Sequence, residues 1–212
     1  MKTTFVCLAN SFKEGGRCIA GVEIIGNSCT LINGKPKWIR PVFQTTEHGQ
    51  VPAYLVNHIN LLDIVEIDIT KEVPDGYQSE NVQFETNSIK VIGTFPLKDL
   101  SNLCENTTSL IFGNTDKSVS IIDIALQNNS LILINTLNYT INEVTNPFTG
   151  KTRLRIVFNY ENNQYNLPIT DIAFINNYQL NNKTFNKSSI FLSLSLGVQL
   201  NGMHYKLVAG II

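Results

Sequence analysis

Lys13 and Arg17 flank the tripeptide Glu14-Gly15-Gly16, and Asn10 and Ser11 come just before it. Two adjacent glycines let the backbone take positive φ and approach a partner closely. Successive free amides can cradle an anion, and an ammonium and a guanidinium beside them add charge. The chemistry expected of this run is contact with a phosphate or a nucleic-acid backbone. The same residues also make an ordinary Gly-Gly hairpin turn with solvated cations, and spacing alone leaves both readings open.

Trp38 and Arg40 form a second pair. Trp38 is the one tryptophan in the chain, and Arg40 is one of four arginines among 16 basic residues. Positions two apart on a strand share a face. An indole beside a guanidinium suits single-stranded nucleic acid, with a base on the ring and a phosphate or base edge on the arginine. The alternative is an indole wedged into a small core with the arginine laid against it. Gln78 and Asn81, within Gly76-Tyr-Gln-Ser-Glu-Asn81, carry amides able to read base edges or a ribose, although a turn needs only its Gly and Asn. Arg153 and Arg155 alternate on one strand near Lys151 and read as its solvated face. Tyr205 and Lys206 point opposite ways on the last strand, so at most one joins a given site.

Catalytic signals are sparse. His48, His58 and His204 stand at no ligand or triad spacing. Cys18, beside Arg17 and near Lys13, is placed for an activated thiolate. It also opens an apolar strand, where a buried, inert thiol is the plainer reading. Asp63, Glu66 and Asp68 gather no histidine, so a metal-dependent nuclease core is not supported. Cys7, Cys18, Cys29 and Cys104 include no Cys-x-x-Cys pair, so no zinc site and no cofactor are expected. Whether the protein is an enzyme stays open.

The elements that must position these residues are mostly strands. Residues 61–69 alternate apolar and acidic side chains, the period of a half-buried strand. Further strands are expected over 4–8, 18–25, 28–32, 37–43, 81–84 and 89–94, then 119–124, 130–137, 138–144, 153–160, 164–169, 189–196 and 203–212. Turns fall at 73–76, 147–150 and 161–163. Apolar residues at three- and four-residue spacing predict a short helix over 97–104, and Thr170-Asp171 caps another over 172–180. The polar stretch 105–118 reads as a linker between residues 1–104 and 119–212. Two halves of this kind predict an all-β protein with one or two short helices, built as two tandem small barrels of the oligonucleotide-binding (OB) type.

Four motifs carry a resemblance: Cys-Leu-Ala-Asn-Ser-Phe-Lys-Glu-Gly-Gly-Arg-Cys-Ile-Ala-Gly over 7–21, Trp-Ile-Arg-Pro-Val over 38–42, Gly-Tyr-Gln-Ser-Glu-Asn over 76–81, and the terminal Tyr-Lys-Leu-Val-Ala-Gly-Ile-Ile over 205–212. Together they resemble the bacterial dual OB-fold domain family from near the start of the chain to its end. Residues 44–60 and 103–118 match nothing in that pattern. The resemblance implies two tandem OB barrels and no settled activity, since a fold does not fix a function.

The chain has 212 residues, 43% apolar, enough for a packed core. Its net charge of −1 supplies no global pull on a polyanion, so any such binding needs a local patch. The absence of a signal-peptide or membrane-length apolar run, together with unpaired cysteines, predicts a cytoplasmic protein without a membrane partner. The expected function is a binding module for single-stranded DNA or RNA, or a nucleotide-like anion. Its expected ligand set is Asn10, Ser11, Lys13, Gly15, Gly16, Arg17, Trp38, Arg40, Gln78 and Asn81. Two alternatives stand beside it. One is an enzyme or sensor for a nucleotide-derived metabolite, with Cys18 or Glu80 reaching into a deep pocket. The other is an adaptor docking a protein through residues 109–112 or an open strand edge.

Overall fold

A computed structural model describes residues 1–13, 15–105, 108–127, 129–145, 147, 149–181 and 183–212. Glu14 of the glycine turn, Phe148 of the 147–150 turn and residues 106–107 of the expected linker lie outside the described residues. The first half contains β1 (Lys2–Lys13), β2 (Gly16–Ile25), β3 (Ser28–Cys29), β4 (Leu31–Ile32), β5 (Lys35–Pro36), β6 (Trp38–Pro41), the single-turn helix α1 (Ala53–Val56), β7 (Asp63–Glu72), β8 (Asn81–Phe84) and β9 (Lys90–Thr94). The second contains β10 (Ser118–Ser120), β11 (Leu131–Thr136), β12 (Tyr139–Thr145), β13 (Thr152–Tyr160), β14 (Asn163–Pro168), α2 (Ile172–Leu180), β15 (Ile190–Leu200) and β16 (Met203–Ile211).

Pairing in the first half closes on itself. The order β1-β2-β6-β8-β7 is completed by β7 pairing back to β1, through Lys2↔Asp68 to Val6↔Ile64. All these pairings are antiparallel except β6 with β8, where Arg40 faces Asn81 and Pro41 faces Val82. β1 belongs to the ring along its whole length because a register shift between Cys7 and Ala9 bends it. In β7, Val65, Ile67 and Ile69 turn into the first core, while on the opposite face Glu66 and Asp68 are partly exposed and Ile64 packs against the apolar core shared with the second half.

The second half is a more open, curled pair of sheets. One runs β10-β16-β15-β11 and the other β12-β13-β14. They meet where Ile169, just past β14, bridges Val208 in β16. In β13, Leu154, Ile156 and Phe158 are buried while Arg153 and Arg155 occupy the opposite face. Asp171 caps α2 by accepting the Phe174 amide at 3.0 Å.

Each half has its own apolar core, and a third core joins them. Val6, Leu8, Trp38, Phe95, Leu100 and Leu103 of the first half pack there with Leu131, Leu133, Ala209 and Ile212 of the second. Close approach at this seam explains the terminal glycine: a Cβ on Gly210 would stand 2.1 Å from the Leu8 carbonyl oxygen.

Some local expectations change. Residues Leu97–Leu103 form a 3₁₀ helix, not an α-helix. Leucines at 97, 100 and 103 repeat every three residues, the period of the tighter helix, so Leu100 and Leu103 are buried. The strand expected over 119–124 shrinks to β10, and a 3₁₀ helix takes Asp123–Leu126.

Candidate functional site

The hairpin between β1 and β2 is held by protein partners. Lys13 and Gly16 are register partners, and Gly15 takes φ +83° with open space around it. A Cβ on Gly16 would lie 2.7 Å from the Val51 carbonyl oxygen, so this glycine admits residues 50–51 against the hairpin. Arg17 and Val51 exchange both backbone hydrogen bonds at 2.9 Å. Lys13 Nζ donates to the His48 carbonyl, and the Arg17 fork donates to Asn57 Oδ1 at 3.0 and 3.2 Å. The Asn10 amide donates to the Val56 and Ile59 carbonyls at 3.0 and 2.8 Å. Asn10, Gly16 and Arg17 therefore clamp residues 50–59, a structural task that the expectation for this run did not include.

Trp38 is corrected. It is 5% exposed and packed in the core between the halves, because strands from the far end of the chain cover it. No base can reach its face. Arg40, on the same face of β6, is 2% exposed. Its Nε donates to Asn81 Oδ1 at 2.6 Å and its Nη1 to Ser130 Oγ at 3.2 Å. Glu80 lies 3.7 Å from Nη2 and accepts from the Ser130 hydroxyl and amide. Asn81 thus serves to hold Arg40, and Glu80 is engaged with Ser130 rather than reaching into a pocket. Tyr77 extends this strut, its hydroxyl donating to the Gly197 carbonyl at 2.9 Å and its ring meeting His204 at 4.5 Å. Of residues 109–112, Ile111 and Phe112 lie inside the second core.

A groove of about 800 Å³ runs between the halves. Ser11, Phe12, Lys13, Cys18, Arg40 and Gln78 line its first wall, and Lys117, Arg153, Arg155, Tyr205 and Lys206 stand in the second, so that Tyr205 and Lys206 share one groove where alternation predicts at most one of them. So Ser11, Lys13, Arg40 and Gln78 of the expected set come together there. Asn10, Gly15, Gly16, Arg17, Trp38 and Asn81 do not. Among the described residues, no aspartate, glutamate or histidine lines the groove. Lys117 and Arg153 are exposed, and among the described residues neither side chain has an ion-pair or hydrogen-bond partner. Arg155 is half-buried and held at 2.7 Å by Asn166 Oδ1, and its burial lowers its pKa. Lys206 has no exposed surface. Its ammonium sits at 2.7 Å from both the side-chain and main-chain oxygens of Asn114, and burial pushes its pKa down to about 8.

Phe12 was not among the expected ligands, yet its ring is 59% exposed at the groove wall. The available signal was an aromatic residue standing alone in the polar run Asn-Ser-Phe-Lys. Arg153 and Arg155 were visible as a stripe, but nothing near them in the chain announces the wall they face. Among the described residues, no group of His, Cys, Asp or Glu is arranged to hold a metal. No helix among them is long and apolar enough to cross a membrane.

Comparison with known proteins adds a family and some remote likenesses. The family model described as "Dual OB-containing domain" matches residues 3–211. No curated protein matches the chain in sequence. Among solved structures, a murine DNA binding protein bound with double-stranded DNA is similar at a TM-score of 0.38 and 7% identity, over 100% of this chain and 95% of that one. The tetrameric p202 HIN2 gives 0.34 and 9%, over 98% and 88%. A replication protein A heterotrimer bound to single-stranded DNA gives 0.33 and 10%, over 93% of this chain and 44% of that one. Scores and identities this low carry no residue-level correspondence.

Proposed function

Because the chain belongs to the family of dual OB-containing domains, we propose that its two halves, 1–104 and 119–212 joined through 105–118, act together as a binding module for single-stranded DNA or RNA or a nucleotide-like anion. The ligand lies in the groove between them. The observation that carries this reading is the sign of the lining. Lys13, Lys117, Arg153 and Arg155 border the groove, Arg40 and Lys206 are among its lining residues, and among the described residues no carboxylate lines it. In a chain of net charge −1 this is a concentrated local field, of the kind that attracts a polyanion. Ser11 and Gln78 supply polar contacts beside the cations.

Binding is favoured over turnover because, among the described residues, the lining holds no carboxylate or imidazole to move a proton. Cys18 lines the groove without such a partner. Four free thiols support a cytoplasmic location.

The test is the salt dependence of binding a fluorescent single-stranded oligonucleotide. The expected result is affinity that falls steeply with salt, with the slope of log K against log salt reduced by roughly one for each of Lys117→Ala and Arg153→Ala. Arg17→Ala leaves affinity and slope unchanged, because its guanidinium is held by Asn57 outside the groove. Equal loss from all three variants, or no binding at low salt, contradicts the proposal.

A further inference from the structure

The groove does not end at Phe12. A second lobe of about 620 Å³ shares Phe12, Arg153, Pro168, Thr170 and Leu207 with the first. It continues to Gln179 and to the Glu143–Lys183 ion pair at 2.8 Å. Each lobe alone has the volume of one small-molecule site. Side by side at these shared residues, the two lobes offer more room than one nucleotide fills.

The ring at the junction is the unusual element. Phe12 belongs to a strand whose neighbouring apolar residues are buried, yet more than half of its surface meets solvent. Its backbone is fixed, the amide donating to the Thr170 carbonyl at 3.0 Å. Lys13 follows it in sequence, and Arg153 stands with it in both lobes. An exposed aromatic side chain on a held backbone, with cations beside it, matches a base stacked on a ring with phosphates on either side. Burying that ring against a base also removes apolar surface from water.

We infer that the groove binds an extended single strand of several nucleotides, threaded from one lobe into the other, and that Phe12 is its stacking platform. This rests on the anion-binding reading above and goes further in naming a polymer with bases as the ligand. Charge alone would accept any polyanion, whereas a stacking platform discriminates in favour of bases.

The experiment titrates the full chain at low salt with a thymidine dodecamer, thymidine monophosphate and inorganic polyphosphate. The dodecamer is expected to bind at least about tenfold more tightly than either of the others. Phe12→Ala is expected to weaken the dodecamer by roughly 5- to 150-fold with an unchanged salt slope, while Phe12→Trp retains binding. Should Phe12→Ala fail to fold, Phe12→Gln serves in its place, because it leaves the charge unchanged and loses the platform. The inference is overturned if the monophosphate or polyphosphate binds as tightly as the dodecamer, or if the variants without the ring bind like wild type. In those outcomes the anion-binding reading survives. Failure of all three probes removes both.

Discussion

Lys206 shows how a single side chain links the groove to the stability of the second half. Its ammonium is enclosed and satisfied by two oxygens of Asn114, and its aliphatic stem belongs to a strand that also contributes Tyr205 and Leu207 to the groove. Burial lowers its pKa to about 8 from the usual 10.5. The native state therefore releases this proton before the unfolded chain does. Stability rises with pH between about 8 and 10.5 on account of this group, and the contribution is lost as pH falls through 8. Lys206→Met removes that rise. Urea midpoints across the window are expected to climb for wild type relative to the variant, and parallel pH profiles would refute the assignment. A buried lysine was not legible in the motif Tyr-Lys-Leu-Val, because its partner comes from Asn114, which lies 92 positions away.

At the level of elements, the most legible parts were those whose signals are local. The cap at Asp171 and the apolar spacing after it define α2 over its observed bounds. The alternation in 61–69 gives β7 with the correct residues inside. What could not be read was what covers each element. Trp38 and Arg40 do share a face, as their spacing requires, but that face meets β11 and the end of β16 rather than solvent. The fit of β16 against β1 gives a sharp test. Gly210→Ala would force a methyl group against the Leu8 carbonyl, so it is expected to destabilise by about 1–3 kcal/mol or more. A denaturant midpoint unchanged by this substitution would show that the two strands separate freely.

At the scale of the whole molecule, the two halves are joined by more than a covalent link. A shared apolar core, the Arg40–Ser130–Glu80 cluster and the Tyr77–Gly197 hydrogen bond all cross the seam, and the Lys35–Glu105 ion pair at 2.6 Å ties the first half to the linker. Removing one partner of a buried charge cluster leaves the other uncompensated. The halves are therefore expected to unfold in one cooperative transition, with calorimetric and van't Hoff enthalpies equal. Two separate transitions would mean that the seam contributes little. The same rigidity fixes the groove's walls at a set distance, so its ligand meets a preformed site.

Where the strand binds is measured most directly by lysine acylation with and without a saturating single-stranded oligonucleotide. Lys117 lies in the groove, whereas Lys90 and Lys98 are exposed elsewhere on the first half. Slowed labelling of Lys117, with Lys90 and Lys98 unchanged, is the expected result. Unchanged labelling of Lys117 under saturating ligand would place the strand on another face and contradict the groove as the binding site.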